Sequence, residues 1–556
     1  MSASSKKKLR KEENAALLTE KQQAERKEAK KLKIMTATFV TVVALVLVIG
    51  LVSMGLNLFN NSGIVERSTA AMTVGEHKLN SNELNYFYVD TLSQVYNEWY
   101  NAYGDYTATY VQMFFGLDMT KPLDEQMYDE ENGITFAEYF TDLAVSDAVA
   151  TLSLYDKAVA ENFQMTDAQK AAVDVIIDNV ATNAEKGGYP SLNACLKAYY
   201  GAGADEKTYR EYLEIVTMAD AFQTDYRDGL TYNVADLEAH NKEHFADYSS
   251  YSYATFTLSD DDFVVCTAKE DDKDHKHTDE EMAAAIKAAE KAANDLVNAK
   301  PETAEELDEA IKSIEAYAEN NLAVSIKYDD ALYSSITSTD IAQWLVEDGR
   351  KAGDMKIITN ASTTTNEDGT KTEKPYGYTV VLYLNSNENN MPLVNVRHIL
   401  TTFQGGTTDE NGQTVYSEAE KQAAKATTEL VRDSWLSGGA TEEAFTQLAA
   451  AHSFDAGSAN NGGLYNNVYP GQTVPAFNDW CFDENRKAGD YEVIETELGY
   501  HLIYFVGYSD VTFRNYMIEN TLRSEDYAKW YNEIVEAAEY NVINTSKLVT
   551  DMPMVR

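Results

Sequence analysis

The segment WCFDENRKAGDYEVIET at 480–496, followed by LGYHLIYFV at 498–506, decides how the second half of this chain is interpreted. Its pattern also occurs upstream, as WLVEDGRKAGDMKIIT at 344–359 followed by YGYTVVLYL at 376–384. Both copies place RKAGD before a GY pair that opens an apolar, strand-like run. Two such matches in the same order are hard to obtain by chance, so we expect an internal duplication.

The residues upstream of each copy extend the repeat. Each copy is preceded by an alternating apolar segment, a polar insert and a helix rich in Ala, Lys and Glu. The alternating segments lie at 251–258 and 394–402, and the helices at 281–299 and 417–436. We therefore predict two strand-helix-helix-strand-strand modules, the first at 249–388 and the second at 392–509. A small sheet covered by helices belongs to the α+β class, here within a multidomain chain.

The part of the chain before the duplication has a helical pattern. A helix start is expected at Asn80 or Ser81, and apolar or aromatic residues then recur every three or four positions, for example in 136–163. This periodicity predicts a helical domain at 65–248. The aromatic residues of 84–115 are expected mainly in its core, although some of them could line a cleft for unfolded chains.

A further amphipathic helix pattern follows the second module, at 511–540. A lone helix cannot bury its apolar face unaided. We therefore expect this C-terminal helix to dock onto the helical domain, and residues 541–556 to form a frayed tail.

The N-terminal region predicts a membrane anchor. Met35 to Phe59 is an apolar run of 25 residues, which at about 1.5 Å per residue can cross a bilayer core of about 30 Å. We expect a transmembrane signal anchor at 34–59. The tail at 1–33 has a net charge of +6, so the positive-inside tendency places it in the cytoplasm and the bulk of the chain outside. The predicted localisation is a single-pass protein of the cell membrane, with a cleaved signal peptide as the alternative.

Charge and cysteine content exclude several classes of protein. The 556 residues carry a formal net charge of −44, and those after residue 33 carry −50. Such an acidic body would repel phosphate backbones, so we expect no nucleic acid partner. The three cysteines lie far apart and disfavour a disulfide framework or a structural zinc site; they are Cys195, Cys266 and Cys481. His275 and His277 could chelate a metal, but a solvated acidic loop is the preferred interpretation, and no cofactor or metal is predicted.

The second module resembles the parvulin family of peptidyl-prolyl isomerases. The matching motifs follow the family's order: VRHIL (396–400), FTQLAAAHSFD (445–455), NGG (461–463), GQTVPAF (471–477) and GYHLI (499–503). The layout of the whole chain resembles extracytoplasmic foldases of the PrsA and SurA type. In those proteins a helical chaperone domain is completed by a C-terminal helix, with isomerase modules inserted between.

The resemblance implies a catalytic set with two imidazoles on neighbouring strands. These are His398 and His501, linked through a hydrogen-bonded network. The family's acidic or cysteine position falls near Asp455 or Ala456, and we assign it to Asp455. Thr496 matches the polar member of the network.

The resemblance also implies an apolar slot for the proline ring. Its lining residues would be Leu464, Phe477 and Phe482. Thr473 stands where the family commonly has Met, and its smaller apolar area predicts a shallower slot and lower activity.

The first module departs from the family pattern. By the repeat, Thr379 aligns with His501 and about Tyr253 aligns with His398. Both imidazoles are therefore missing, and we expect a degenerate module that serves as a spacer or a peptide-binding surface.

Together these features predict a membrane-anchored extracytoplasmic foldase. It would bind unfolded or partly folded exported polypeptides and isomerise X-Pro bonds in its second module. The alternative is a non-catalytic holdase with two inactive modules, a reading that Thr473 supports. A structural envelope or adaptor protein is the third interpretation.

Overall fold

The computed structural model describes Ser5 and residues 63–265, 277–365, 368, 370–409 and 412–554. Two compact units divide the described chain. The helical unit comprises 63–231 with 521–554, and the twin-sheet unit comprises 232–520. The multidomain α+β class is thereby confirmed. The predicted anchor at 34–59 lies outside the described residues, and none of the helices described is long and apolar enough to span a bilayer.

The helical unit contains seven helices before residue 231: α1 (Ile64–Ser68), α2 (Ser81–Tyr103), α3 (Thr107–Phe115), α4 (Phe136–Ala160), α5 (Asp167–Lys186), α6 (Leu192–Tyr200) and α7 (Glu206–Gly229). It also contains two strand pairs and a late strand: β1 (Ala70–Val74), β2 (His77–Asn80), β3 (Met127–Asp129), β4 (Ile134–Thr135) and β15 (Tyr540–Val542). Strand β1 is the centre of a three-stranded sheet of order β15-β1-β2.

Local sequence explains where these helices begin. The Asn80 side chain accepts a hydrogen bond from the Glu83 amide at 3.1 Å, and the Glu83 carboxylate accepts one from the Asn80 amide at 2.8 Å. Thr135 and Thr166 start α4 and α5 with the same capping box. Each box satisfies donors that a helix start would otherwise leave without a partner. The apolar faces then meet around fully buried rings such as Tyr86.

The C-terminal helix contributes to this core. Helix α15 (Phe513–Glu536) carries Trp530, whose ring stacks on Tyr226 of α7 with centroids 3.9 Å apart. Tyr527 donates a hydrogen bond to the Gln223 side chain. Residues of α15 from 521 onward therefore complete the helical unit.

The tail after α15 is ordered by pairing. Strand β15 pairs antiparallel with β1, and the Val549 amide donates to Asn85 Oδ1 at 3.0 Å. The expectation of a frayed tail at 541–556 was wrong for its described part. Without β15, strand β1 would present an unpaired edge on the side away from β2, and the tail satisfies that edge by pairing with it.

The twin-sheet unit begins earlier than the sequence suggested. Helix α8 (Val234–Glu243) and the turn after it belong to this unit, not to a helical domain ending at 248. The Asn389 side chain donates to the Tyr248 carbonyl at 2.9 Å, and His240 Nε2 lies 2.7 Å from the Tyr248 hydroxyl. The first contact joins the segment to the chain just after β8, and the second holds α8 to the turn that follows it.

Two four-stranded antiparallel sheets form the rest of the twin-sheet unit. The first has the order β6-β5-β8-β7 and the second the order β12-β9-β14-β13. The first module consists of β5 (Ser250–Ser259), α9 (Asp279–Ala299), α10 (Ala304–Lys312), β6 (Ile326–Leu332), α11 (Thr339–Leu345), β7 (Met355–Thr365) and β8 (Lys371–Asn387). The second consists of β9 (Pro392–Thr402), α12 (Glu418–Ser437), α13 (Glu442–His452), β12 (Leu464–Val468), α14 (Pro475–Cys481), β13 (Tyr491–Thr496) and β14 (Gly499–Thr512), with the short pair β10 (Thr407–Thr408) and β11 (Thr414–Val415).

The two modules share one order of elements in the chain and one order of strands in the sheet. This agreement supports the duplication inferred from RKAGD. The predicted pattern omitted one strand and one short helix per module, namely β6 with α11 and β12 with α14. Both missed strands lie at a sheet edge and lack an alternating apolar pattern, so periodicity gave no signal for them.

The repeated RKAGD segments have a structural cause. In the first module Arg350 lies 4.1 Å from the centre of the Trp344 ring and donates Nε–H to the Trp344 carbonyl at 3.1 Å. In the second, Arg486 lies 3.9 Å from the Trp480 ring and donates to its carbonyl at 3.0 Å. The Arg-Trp pair therefore closes the short helix onto the strand that follows. It is retained in both modules whether or not the histidines are present.

The two faces of the second sheet are covered differently. Helices α12 and α13 pack on the face that carries Ile399 and Leu502. Helix α14 packs on the opposite face, against Val396 and Ile503. Because side chains alternate along a strand, this second face also receives His398 and His501.

Candidate active site

Strands β9 and β14 bring the two predicted imidazoles together. His398 pairs with Ile503 across the ladder and His501 pairs with Leu400, so the histidines are diagonal neighbours on one face. Their Nδ1 atoms are 3.1 Å apart and the ring centroids 5.3 Å apart. Both side chains are buried, with 2% and 3% exposure.

A hydrogen-bonded chain runs through the two rings. At one end Asp455 Oδ2 lies 3.0 Å from His398 Nε2. At the other end Thr496 Oγ1 lies 2.9 Å from His501 Nε2. The structure therefore places all four residues predicted as catalytic in one continuous line, Asp455, His398, His501 and Thr496.

The charge state of Asp455, at one end of the chain of hydrogen bonds, determines which nitrogen of His398 carries a proton. Burial acts to raise the pKa of Asp455. Hydrogen bonds from His398, Ser458 and Tyr465 outweigh this effect and hold the pKa below its usual range. An ionised carboxylate only accepts, so His398 Nε2 carries a proton. Burial and the neighbouring His398 lower the pKa of His501 to about 3, so this ring stays neutral at physiological pH.

Two residues that the sequence did not single out complete the acidic end. The Ser458 hydroxyl donates to Asp455 Oδ2 and lies 3.1 Å from His398 Nε2. The Tyr465 hydroxyl donates to the same carboxylate oxygen at 3.1 Å. The D-x-x-S spacing was the available signal for Ser458, because a carboxylate at a turn commonly bonds a hydroxyl three residues on.

Aromatic rings cover the imidazoles. Phe477 of α14 meets His398 and His501 edge to face, with centroids 5.3 Å and 5.4 Å away and interplanar angles of 88° and 82°. Tyr465 also packs on His398, with ring centroids 4.6 Å apart, and lies 6.3 Å from the Phe477 ring. Phe477 thus sits over both rings at once and keeps water from the nitrogen pair.

The strand register corrects the assignment of Leu464. Leu464 lies opposite Arg397 in the β12–β9 pair, and Tyr465 lies opposite Val396. Alternation therefore directs Leu464 to the face covered by α12 and α13, away from His398, and directs Tyr465 to the histidine face. The predicted slot residue Leu464 was wrong by one position, and Tyr465 takes its place.

The other two predicted slot residues, Phe482 and Thr473, lie on either side of α14 in the sequence. Phe482 is half-buried and packs on the apolar cluster that includes Phe477. Thr473 is half-buried in the loop before α14, and its Oγ1 is a buried atom with no hydrogen-bond partner in the described structure.

The NGG turn explains the close fit of β12 against β9. Gly463 has φ +72°, and a Cβ there would lie 2.2 Å from the His398 carbonyl oxygen. The His398 amide in turn donates to the Gly463 carbonyl at 2.8 Å. Arg397 holds the turn from the other side, donating to the Gly462 carbonyl at 2.9 Å and pairing with Glu442 at 2.9 Å.

The first module has no imidazole at the equivalent positions. In the second module His501 lies opposite Leu400. In the first, Thr379 lies opposite Thr257, and their hydroxyls are 3.1 Å apart. Thr379 therefore occupies the position of His501, as the repeat suggested.

The same register corrects the second equivalence. Two residues before the Thr257 position comes Thr255, which faces Val381 as His398 faces Ile503. The earlier alignment to Tyr253 was two residues out, because sequence alone does not fix the strand pairing.

The chain is similar to known proteins in three comparisons. A family model described as the PPIC-type PPIASE domain matches residues 378–507. The chaperone SurA of Methylococcus capsulatus (strain ATCC 33009 / NCIMB 11132 / Bath) is 33% identical over 94 residues, which cover 16% of this chain and 20% of that protein. The match thus spans about a fifth of the curated relative's length.

Two solved structures of peptidylprolyl isomerase (PrsA) also match. The protein from Bacillus anthracis is 22% identical, with 27% of this chain and 59% of that chain covered and a TM-score of 0.17. The protein from Bacillus cereus is 20% identical, with 30% and 56% covered and a TM-score of 0.17. TM-scores of this size do not establish a shared overall fold. The family match, which covers the whole of the second module up to residue 507, and the site geometry are sufficient for the conclusion that the second module is a PPIC-type, or parvulin-type, peptidyl-prolyl isomerase domain.

Proposed function

We propose that this chain is a membrane-anchored extracytoplasmic foldase that binds unfolded exported polypeptides and catalyses cis–trans isomerisation of X-Pro bonds in its second module. The observation that carries the proposal is the buried line of Asp455, His398, His501 and Thr496 beneath Phe477. The family match at 378–507 supports the same activity.

The chemistry requires no nucleophile. Rotation about an X-Pro bond is opposed by a barrier of about 18–20 kcal/mol, since amide resonance is lost in the twisted state. Resonance separates charge between carbonyl oxygen and nitrogen, so an apolar environment weakens it. An enzyme therefore needs a dry apolar surface for the pyrrolidine ring and a rigid polar floor that favours the twisted amide.

The second module supplies both parts. Phe477 provides the apolar ring surface directly above the imidazoles. The carboxylate of Asp455 fixes the proton on His398, and Thr496 fixes the orientation of His501. Because each ring is held by two partners, the floor stays in one geometry while the substrate amide rotates above it.

Client binding is assigned to the helical unit, 63–231 with 521–554, which takes the place of the chaperone domain expected at 65–248 and 511–540. Exposed aromatic and apolar side chains around α3 support this assignment, among them Tyr106 at 67%, Met113 at 62% and Phe114 at 60% exposure. Exposed apolar patches on soluble domains commonly mark binding surfaces. The first module, at 249–388, is assigned a non-catalytic role as a spacer or peptide-binding surface, since Thr255 and Thr379 replace the histidines.

The location is inferred from the sequence alone. The apolar run at 34–59 and the basic tail at 1–33 favour a single-pass anchor with the tail in the cytoplasm. The net charge of −50 after residue 33 argues against nucleic acid as a partner.

The experiment compares X-Pro isomerisation by the full chain and its variants on proline peptides. His398→Ala and His501→Ala each leave a buried partner unsatisfied, at a cost of about 1–3 kcal/mol, and we expect kcat/KM to fall about tenfold to a hundredfold. His452→Ala is the matched control, because His452 is an exposed histidine at the end of α13. Equal activity in all four proteins would overturn the catalytic assignment.

The second candidate function is a holdase without isomerase activity. It is favoured by Thr473, which offers a hydroxyl without a partner where the family commonly presents Met. Suppression of aggregation of several unrelated unfolded proteins, with no acceleration of any proline peptide, is the result that would select it.

A further inference from the structure

A cavity of about 630 Å³ adjoins the histidine site in the second module. Its walls come from four places: the β10–β11 region with Phe403 and Tyr416, the first turn of α12 with Lys421, the start of α14 with Pro475, and the β13–β14 turn with Thr496 and Glu497. This cavity is large enough for a long side chain and is not used by the isomerisation chemistry described above.

The cavity lies next to the position proposed for the proline ring. Thr496 both lines the cavity and hydrogen-bonds His501. Pro475 is two residues before Phe477 along α14. Consecutive Cα atoms of a peptide are about 3.8 Å apart, so a residue flanking the bound proline reaches the cavity with its side chain.

The apolar part of the wall suits the stem of a long side chain. Phe403 and Tyr416 meet with ring centroids 5.1 Å apart, and Val474 and Pro475 add aliphatic surface. Lysine and arginine bury their methylene stems on such surface while the charged end stays near water.

The charged side chains of the wall favour a ligand with a positive charge. Lys421 Nζ is 3.2 Å from Glu495 Oε1, so these two charges offset each other. Glu495 also accepts a hydrogen bond from the Tyr500 hydroxyl at 2.5 Å. Glu497 is exposed, and no described basic side chain pairs with it. The wall is left with one uncompensated carboxylate, and the chain as a whole is strongly acidic.

We propose that this cavity binds the side chain of a basic residue, lysine or arginine, next to the substrate proline, and that Glu497 determines this preference. The inference rests on the proposed isomerase function, because it assigns a substrate class to the same site. Glu497 pairs with the cationic end while Phe403, Tyr416 and Pro475 contact the stem. An acidic flanking residue is disfavoured by Glu497 and finds Lys421 already paired.

The test uses the full chain and proline peptides that carry Lys, Ala or Glu immediately before or immediately after the proline. Isomerisation rate and peptide affinity are measured separately, the second by titration without turnover. We expect the Lys peptide to exceed the Glu peptide by about threefold to tenfold in kcat/KM and in affinity at one of the two flanks, as for a partly exposed charge pair. The preference should shrink in high salt, because dissolved ions screen the attraction between the Glu497 carboxylate and the cationic side chain of the peptide.

Two variants make the test specific. Glu497→Gln should bring the ratio of Lys to Glu peptide close to one. Lys421→Met removes the partner of Glu495, and the ratio should then rise above that of the unmodified chain. Glu443→Gln is the matched control, since Glu443 is an exposed glutamate in the first turn of α13, on the other face of the sheet; it should leave the ratio unchanged.

The outcomes separate this inference from the proposed function. Isomerisation of all peptides at equal rates and with equal affinity would overturn the basic-residue site and leave the isomerase assignment standing. A Glu497-dependent preference in affinity without isomerisation of any peptide would support the site and select the holdase instead. Preference for the Glu peptide, removed by Lys421→Met, would also overturn the inference.

Discussion

At the scale of single residues, the site depends on burial as much as on residue type. His398 and His501 are nearly inaccessible, and each ring nitrogen has a defined partner. His452, one of the same residue type, is exposed at a helix end. The difference lies in the strand positions, which carry the first two rings into one dry layer under Phe477.

Burial of His501 predicts a pH dependence of stability. Its pKa is lowered to about 3 in the folded chain, whereas a histidine in an unfolded chain titrates near 6.5. Between these values the unfolded state binds a proton that the folded state does not, so stability is complete above about pH 6.5 and declines as the pH falls. We expect the second module to lose about 2 kcal/mol between pH 7 and pH 5 from this group alone.

Hydrogen exchange of the β9 and β14 amides measures this loss locally. His501→Asn should flatten the pH dependence over that window, and His452→Asn should not. The lowered pKa of Asp455 acts in the same direction but only below about pH 4, where an ordinary aspartate becomes protonated. A slope that is identical in the chain and in His501→Asn would exclude His501 as its source.

The isomerase activity is expected to rise when Thr473 is replaced by a larger apolar residue. Thr473→Met adds apolar area beside the Phe477 layer and removes a buried hydroxyl that has no partner in the described structure. We expect kcat/KM for proline peptides to rise severalfold, since a deeper apolar slot is worth about 1 kcal/mol per added methylene. Thr473→Val is the control for the hydroxyl alone, and it should stabilise the module by about 1 kcal/mol. A fall in both stability and activity with Met would mean that the slot lies elsewhere.

At the scale of secondary structure elements, the turn before β12 has no space for side chains at its two glycines. Gly462 and Gly463 lie in the left-handed region with φ +65° and +72°. Their missing Cβ atoms leave room for Thr446 on one side and for the His398 carbonyl on the other. The NGG motif therefore has a structural role at the site, because its glycines allow β12 to lie close to β9.

This geometry predicts a large effect for Gly463→Ala. The added Cβ would lie 2.2 Å from a backbone oxygen that cannot move without breaking the β9 ladder. We expect a loss of at least about 3 kcal/mol in the second module, typical of strongly disruptive core changes. Gly471→Ala is the matched control: its φ is +80° and nothing lies within 4 Å of its Cβ position, so only the backbone strain of about 1–2 kcal/mol applies. Equal losses in the two variants, measured by denaturant unfolding, would show that the close approach is unimportant.

At the scale of the whole molecule, sequence-distant segments complete each compact unit. The helical unit needs the chain from 521 onward, because Trp530 fills a surface on α7 and β15 pairs with β1. The twin-sheet unit contains two modules with one strand order, of which one kept the buried histidines and the other kept only the scaffold contacts around RKAGD.

Trp530→Ala should therefore weaken the helical unit selectively. Loss of the stacked ring on Tyr226 is expected to destabilise this unit by about 2–3 kcal/mol, seen as faster hydrogen exchange in α7. The proline isomerase activity, which we assign to the second module, should change little. Tyr540→Ala is a suitable control, because Tyr540 is 56% exposed. Equal protection of α7 in Trp530→Ala and in the unmodified chain would contradict a stabilising role for this contact.

Local and periodic information was enough for much of the chain. The capping signal at Asn80 or Ser81 located the start of α2, and segments rich in Ala, Lys and Glu located α9 and α12 to within a few residues, since both signals lie within the helix itself. The repeated RKAGD and GY segments revealed the two modules, and VRHIL with GYHLI identified the two imidazoles. These features are carried by neighbouring residues, and a sequence displays neighbours directly.

Strand pairing was decided by the tertiary structure. A one-residue shift moves a side chain to the opposite face of a sheet, and this shift separates the predicted Leu464 from the observed Tyr465. A two-residue shift separates Tyr253 from Thr255 as the counterpart of His398. The pairing of β15 with β1, the contribution of Ser458 to the site and the cavity beside Thr496 arise from chain segments that meet only after folding. Their positions depend on packing between distant residues, which no local pattern in the sequence encodes.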